Sequence, residues 1–259
     1  MKGGDLVLET LKLTGKNALV TGSDKGLGAA MALALAEAGA NVAVHGRTAD
    51  PADIAGQIRN LGRKSCFLPA DLNAAEACDH LFAGAIRELG TLDILINNAG
   101  CIRRAPAAEF PAEHWNEVIQ LNLSTVFRLC QLAGKHMLAR GQGGKIVNIA
   151  SVLSFQGGVF VPSYAAAKGG VAQLTKAFAN EWAAKGINVN AIAPGYMETD
   201  NTTALRNDPA RSRQILDRIP GGRWGKPDDL AGAAVFLCSP SADYVHGHVL
   251  VVDGGWLAR

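Results

Sequence analysis

The chain reads as an α/β fold: a doubly wound parallel sheet of about seven strands with helices on both faces, in a single domain over residues 1–259. Three observations predict it. Short β-branched runs alternate with longer Ala/Leu-rich amphipathic segments along the whole sequence. A glycine-rich turn joins the first such run to the first helical segment. No linker or shift in composition divides the 259 residues, and repeated β-α alternation implies parallel strands.

In chain order, the expected strands are Asn17–Val20, Asn41–His45, Ser65–Leu68, Asp93–Ile96, Lys145–Ile149, Asn188–Ile192 and His248–Val252, each a short apolar run. The expected helices are Met31–Ala38, Pro51–Leu61, Ala74–Leu89, Ala112–Ala139, Ser163–Ala184 and Pro227–Leu237. The stretch Gly195–Gly225 differs: it is polar, with Pro209, Pro220 and a Gly221-Gly222 pair. It is too long for a plain connector, and such insertions often form lids over sites.

Composition narrows the function. Hydrophobic residues make up 48% and charged residues 19%, with 30 glycines, which is ordinary globular usage. A net charge of +2 with both signs interspersed points to neither nucleic acid nor a membrane surface. Cys66, Cys78, Cys101, Cys130 and Cys238 are scattered, with no CxxC and no Cys/His cluster. Neither a disulfide framework nor a metal site is expected; reduced thiols in a cytoplasm are. The N-terminal ten residues lack an apolar leader core, and no uncharged apolar run reaches the roughly eighteen residues of a spanning helix.

Val20-Thr21-Gly22-Ser23-Asp24-Lys25-Gly26-Leu27-Gly28 follows the first strand and opens an Ala-rich helix. Glycines there let the backbone turn tightly and approach a pyrophosphate at the helix N-terminus. The spacing is G-x-x-x-G-x-G, so a mere strand–helix turn is the competing reading. About twenty residues on, an acidic group would hold the ribose 2′-hydroxyl of NAD. Gly46 stands at that place and Arg47 follows, while Lys25 lies in the loop itself. Two cations and no carboxylate suit a 2′-phosphate. The expected cofactor is NADP(H), with NAD(H) as the alternative.

Tyr164 and Lys168 are four residues apart in Ser-Tyr-Ala-Ala-Ala-Lys, with Ser151 upstream. On a helix, i and i+4 share a face. A cation near a phenol lowers its pKa from about 10 toward working pH. The pattern fits a tyrosine tuned for acid–base work. Taken singly, Ser151 could cap a strand end, Asn122 could bond backbone, and Tyr164 could be a satisfied buried aromatic.

These pieces together resemble the short-chain dehydrogenase/reductase family over nearly the whole chain, and the resemblance implies a Rossmann-type sheet. Thr21-Gly22-x-x-x-Gly26-x-Gly28 is similar to its cofactor loop, and Asn97-Asn98-Ala99-Gly100 to its fourth-strand motif. Asp71 matches its acidic position near the adenine, and Pro194-Gly195 its turn beside the nicotinamide. Asn122, Ser151, Tyr164 and Lys168 match its catalytic tetrad. The implied cofactor contacts are Gly22, Ser23, Lys25, Gly26, Leu27, Gly28, Arg47, Asp71, Leu72, Asn98, Ala99, Gly100, Pro194 and Gly195, with Tyr164 and Lys168.

By that resemblance Tyr164 exchanges a proton with the substrate oxygen. Lys168 lowers the Tyr164 pKa and bonds the nicotinamide ribose, Ser151 bonds the substrate oxygen, and Asn122 holds a water that completes a proton relay. The segments Ile102-Arg103-Arg104, Ser154-Phe155-Gln156-Gly157-Gly158, Ala193-Pro194-Gly195-Tyr196-Met197, Ile219-Pro220-x-Gly222-Arg223-Trp224 and the ending Val252-Asp253-Gly254-Gly255-Trp256-Leu257-Ala258-Arg259 resemble one branch. It comprises the dehydrogenases of 2-dehydro-3-deoxy-D-gluconate and related deoxy-sugar acids, with gluconate 5-dehydrogenases as near relatives. A sugar acid carries a carboxylate, which arginine grips with two parallel hydrogen bonds. Arg103, Gln156 and Met197 are therefore expected at the substrate, with Arg104, Asn201, Arg206 and Arg213 as further candidates. The alternatives are a gluconate 5-dehydrogenase or a 3-oxoacyl thioester reductase on the same scaffold or, in another class, a non-catalytic dinucleotide sensor. The resemblance also implies a homotetramer built on the two long helices and the C-terminal region, where Trp256 could instead pack within its own subunit.

Overall fold

The computed structural model describes residues 6–259; Met1–Asp5, part of the N-terminal stretch read above for a leader, lie outside the described residues. Seven strands form one parallel sheet: β1 Asn17–Val20, β2 Asn41–Gly46, β3 Ser65–Pro69, β4 Ile94–Asn97, β5 Gly144–Ile149, β6 Ile187–Pro194 and β7 Val249–Val252. Their order is β3-β2-β1-β4-β5-β6-β7. Every residue of β1, β4 and β6 is buried, which is why these strands are mostly apolar.

Helices cover both faces. On one side α3 (Ala77–Leu89), α5 (Thr125–Arg140) and α6 (Pro162–Trp182) bury Leu81, Phe82, Leu129, Met137, Val171 and Trp182. On the other, α1 (Gly26–Glu37), α2 (Ile54–Asn60) and α9 (Ala231–Cys238) bury Met31, Leu35, Ile58 and Leu237. From β1 the chain steps outward to β2 and β3, then returns to β4 on the other side of β1. The carboxyl ends of β1 and β4 therefore flank a crevice, the place where open α/β sheets bind ligands.

Several boundaries differ from the sequence reading, for local reasons. α1 begins at Gly26 rather than Met31, because the glycine turn itself forms the first helical turn. α2 begins at Ile54 rather than Pro51. The Asp50 carboxylate accepts from the Ile54 and Ala55 N–H groups, each at 2.9 Å, and Asp53 accepts from Gly56 at 3.0 Å. These are N-terminal caps. The single helix expected over Ala112–Ala139 is α4 (Ala112–Ile119) and α5, joined by a π-helical turn at Gln120–Ser124.

The polar stretch contains two short helices that the sequence reading did not expect, α7 (Thr203–Arg206) and α8 (Pro209–Leu216). Asp208 caps α8 by accepting from the Arg211 N–H at 3.0 Å, with Pro209 in the first turn. The stretch is pinned at its base. Met197 and Gly225 pair as an isolated bridge, with Glu198 N–H donating to the Gly225 carbonyl at 2.7 Å and Gly225 N–H to Tyr196 at 2.9 Å. Its far end docks on the C-terminal tail, where Ile215, Ile219 and Trp224 bury against Val152 and Trp256. Trp256 thus packs within its own chain, under the Arg218 guanidinium at 4.0 Å. No helix among the described residues is long and apolar enough to cross a membrane.

Candidate active site

The glycine loop lies at the carboxyl end of β1, and buried polar groups hold it from below. Asn98 donates to the carbonyls of Thr21 and Gly22 at 2.9 and 2.8 Å, while the Thr21 hydroxyl accepts from the N–H groups of Asn98 and Ala99. Ser23 bonds both ways with β2, its N–H donating to the His45 carbonyl and its hydroxyl accepting from the His45 N–H. The His45 ring is a further stay. Its Nδ1 accepts from the Gly22 N–H at 2.9 Å, so Nε2 carries the hydrogen toward the Ala70 carbonyl at 3.1 Å. Burial holds its pKa below the ordinary histidine value and keeps it neutral.

The loop fits a dinucleotide. A Cβ at Gly28 would meet the Gly22 carbonyl oxygen at 2.1 Å, so only glycine allows α1 to pack this closely on the loop. Gly26 adopts φ +58° with open space where a side chain would project, which suits close approach of a phosphate. Lys25 precedes α1 without a side-chain cap, and the Gly26, Leu27 and Gly28 N–H groups meet no carbonyl among the described residues. Such free amides at a helix N-terminus attract anions.

The remaining expected cofactor residues are arranged as follows. Arg47 and Asp71 are exposed at the ends of β2 and β3, and Asp71 accepts from the Asn73 N–H at 3.1 Å. Leu72 turns its side chain into the core and its carbonyl accepts from Thr125, so a ligand would meet its backbone. Gly100 packs on Asn122 and Gly195 on Asp253, with no room for a side chain at Gly195. Lys25 extends across the cleft to Asp200 at 2.7 Å, and that partnership raises its pKa.

Across the cleft, β5 delivers Ser151 into a 3-10 turn, Val152–Ser154. Ser151 caps that turn, its oxygen accepting from the Leu153 N–H at 3.1 Å, so the hydroxyl hydrogen stays available to donate. Ser154 ties the turn to α6 by donating to the Lys168 carbonyl at 2.7 Å. Tyr164 and Lys168 share a face of α6, with the ammonium 5.6 Å from the phenol ring centroid. Lys168 is buried and donates to the Ile149 carbonyl at 2.6 Å. Burial pushes it down to about 8.

The phenol departs from expectation. Burial raises its pKa, and the groups that pull it back are the Ser151 hydroxyl and the Arg104 charge rather than Lys168. Asn122 is fully buried in the π-helical turn. Its amide is engaged with the Cys101 backbone, accepting from the N–H at 2.9 Å and donating to the carbonyl at 2.8 Å. It docks the fourth-strand loop on the helix.

Ser151 and Tyr164 open into a cavity of about 170 Å³. Leu27, Pro194 and Gly195 form its cofactor end; Val159, Tyr196, Met197, Asn201 and Leu205 form the lid side. Two arginines line it, Arg104 and Arg211, and no carboxylate does among the described residues.

The side chains expected at the substrate divide between this cavity and its surroundings. Arg103 is not among the lining residues and pairs with Glu117 at 2.6 Å. Gln156 lies outside the cavity and accepts from Arg218 at 3.1 Å. Arg213 pairs with Asp217, and Arg206 donates to the Thr199 carbonyl. Met197 and Asn201 do line it. Arg211 escaped the sequence reading, although the Asp208-Pro209 pair just before it marks a helix start. No cluster able to hold a metal ion occurs among the described residues.

A family profile described as enoyl-(acyl carrier protein) reductase matches residues 22–257. The chain is 53% identical over 254 residues to the 2-dehydro-3-deoxy-D-gluconate 5-dehydrogenase of Escherichia coli (strain K12), covering 98% of this chain and 100% of that protein. A structure from Agrobacterium tumefaciens with bound NADP, provisionally described as a 2-deoxy-D-gluconate 3-dehydrogenase, matches with a TM-score of 0.90 at 55% identity, covering 96% of this chain and 99% of that one. A gluconate 5-dehydrogenase from Burkholderia cenocepacia J2315, in complex with NADP and tartrate, matches with a TM-score of 0.93 at 40% identity, covering 98% and 100%.

Proposed function

The chain belongs to the short-chain dehydrogenase/reductase family, and on that premise we propose that it is an NADP(H)-preferring oxidoreductase for a deoxy-sugar acid of the 2-dehydro-3-deoxy-D-gluconate type. The observation that carries this reading is the cavity beside Ser151 and Tyr164, lined by Arg104 and Arg211 and by no carboxylate among the described residues. Two guanidiniums without acidic partners favour an anionic substrate, because carboxylates accept paired hydrogen bonds from arginine. A neutral acyl chain would leave both facing an apolar ligand. The relatives' names and the NADP in their structures support the same substrate and cofactor classes.

The nicotinamide, when bound, supplies or accepts the hydride. The chain's own residues do the rest. Tyr164 would pass a proton to or from the substrate oxygen, the group nearest to hand for acid–base work. Ser151 would donate its free hydroxyl hydrogen to that oxygen as charge develops. Lys168, on the next turn of α6, would hydrogen-bond the ribose. Asn122 would fix the loop that carries Cys101 and Ile102. Arg104 and Arg211 would hold the carboxylate so that the carbonyl faces Tyr164.

A homotetramer in the cytoplasm completes the proposal. Trp115, Phe127 and Leu138 on α4 and α5 are large, apolar and exposed, and Phe127 stacks on Phe178 of α6. All five cysteines are free thiols. The testing experiment follows absorbance of the reduced nicotinamide while keto-deoxy sugar acids, their neutral analogues and a 3-oxoacyl thioester are offered with both cofactors. Turnover of the acids with NADPH is expected. Reduction of the thioester alone would overturn the reading, and a sizing column tests the tetramer.

A further inference from the structure

The space vacated by the missing acidic residue of β2 is filled from another part of the chain. Gly46 ends β2 where a carboxylate commonly holds the adenosine ribose 2′-hydroxyl. A Cβ built on Gly46 would lie 2.8 Å from both Cβ and Cγ of Asp24. The Asp24 side chain, rising from the glycine loop, therefore occupies the volume into which a side chain at 46 would project. Gly46 is what lets it in. Asp24 is half-buried, and among the described residues its carboxylate has no hydrogen-bond or ion-pair partner.

The cations near this corner are differently disposed. Arg47 is exposed directly after Gly46, while Lys25 is drawn to Asp200 on the lid at 2.7 Å. An adenosine ribose bound at the carboxyl ends of β1 and β2 would meet one carboxylate and one exposed arginine. A ribose hydroxyl donates well to a carboxylate, whereas a 2′-phosphate is repelled by it and attracted by Arg47.

We infer that Asp24 is a cofactor-specificity residue, taking over from Gly46 the acceptor for the ribose 2′-hydroxyl, so that the enzyme also uses NAD(H) and its preference for NADP(H) is held down. The inference rests on the dinucleotide reading of the loop. It corrects the expectation that no carboxylate stands at this corner. That expectation followed the chain along β2, and the acid arrives from a loop more than twenty residues earlier.

The test is equilibrium binding by titration calorimetry, with NAD⁺, NADP⁺, 5′-ADP and 2′,5′-ADP as probes and no turnover required. Asp24→Asn keeps the shape and removes the charge. It is expected to weaken NAD⁺ and 5′-ADP about tenfold and to tighten NADP⁺ and 2′,5′-ADP severalfold. Arg47→Gln should do the opposite, weakening only the phosphorylated pair. If Asp24→Asn shifts all four probes by one factor, the carboxylate serves the loop or the α1 terminus, and the inference falls; no shift in any probe also overturns it. Asp24→Ser repeats the test should the first variant unfold. A wild-type protein that binds none of the probes would sink the dinucleotide reading itself, whereas binding with unchanged selectivity sinks only the role of Asp24.

Discussion

The two walls of the cleft are built from different materials. The cofactor wall is backbone and short buried side chains: Thr21, Ser23, His45 and Asn98 lock the glycine loop onto the ends of β1, β2 and β4. The substrate wall is long side chains on irregular segments, with Arg104 after β4 and Met197, Leu205 and Arg211 from the lid. A ligand part common to many enzymes can be held by amides at fixed spacing, which demands glycine at fixed positions. A variable part is held by side chains that can be exchanged without moving the backbone. One wall is shared property of the fold; the other belongs to this chain.

Between the walls stand the reacting groups, and the largest effect is expected there. Tyr164→Phe should lower turnover about 10²–10⁴-fold while calorimetry finds NADP⁺ affinity within about threefold of wild type, because the cofactor wall is untouched. Turnover near the wild-type level would remove Tyr164 from its role.

Lys168 tests how far burial governs the same site. Its folded value of about 8 lies below the ordinary 10.5, a gap worth about 3 kcal/mol. Between those values the unfolded chain binds a proton that the folded chain does not. Stability from this group therefore rises with pH through that window, and its deficit is constant below about 8. Denaturant unfolding of wild type against Lys168→Met should show a difference that changes by up to about 3 kcal/mol from pH 8 to 10.5. A pH-independent difference would mean the ammonium is not desolvated.

The substrate wall is sharpened by two adjacent residues. Arg104→Ala should raise KM for a sugar acid about 10–100-fold and leave a neutral ketone unchanged, the scale of losing a charged hydrogen bond. Arg103→Ala, which breaks the partly exposed Glu117 pair and a hydrogen bond to the Ile102 carbonyl, should change KM less than about threefold. Equal effects of the two would erase the distinction drawn between the walls. The smallest effect belongs to the contact that crosses the cleft. Asp200→Asn frees Lys25 from an exposed ion pair, and NADP⁺ should bind about two- to threefold tighter. Weaker binding would show that the pair orders the lid over the cofactor instead.

Legibility in the sequence followed the same division. The sheet was readable because buried parallel strands must be short apolar runs, as Asn17–Val20 and Ile94–Asn97 are. The glycine loop was readable because Gly28 has no substitute against the Gly22 carbonyl. The π-helical turn at Asn122 carries no proline or glycine to announce it; it accompanies the bonding of the Asn122 amide to the Cys101 backbone. Nothing in the order of Arg103 and Arg104 says which will face the cavity, since both lie in an irregular segment whose direction is set by Glu117 and by Asn201. Asp24 and Gly46 meet only because parallel β1 and β2 end side by side.

The bridge between Met197 and Gly225 has a consequence for how such a protein can change over time. Residues 198–224 leave and re-enter the scaffold at neighbouring points, as a cassette does. Lengthening such a closed loop is cheap, about 0.6 kcal/mol for each doubling. Natural variation or an engineer could therefore replace the helices that carry Leu205 and Arg211 as one unit. The sheet, the glycine loop and the Tyr164 centre would be inherited unaltered, and a new substrate range could be acquired without re-solving the folding problem.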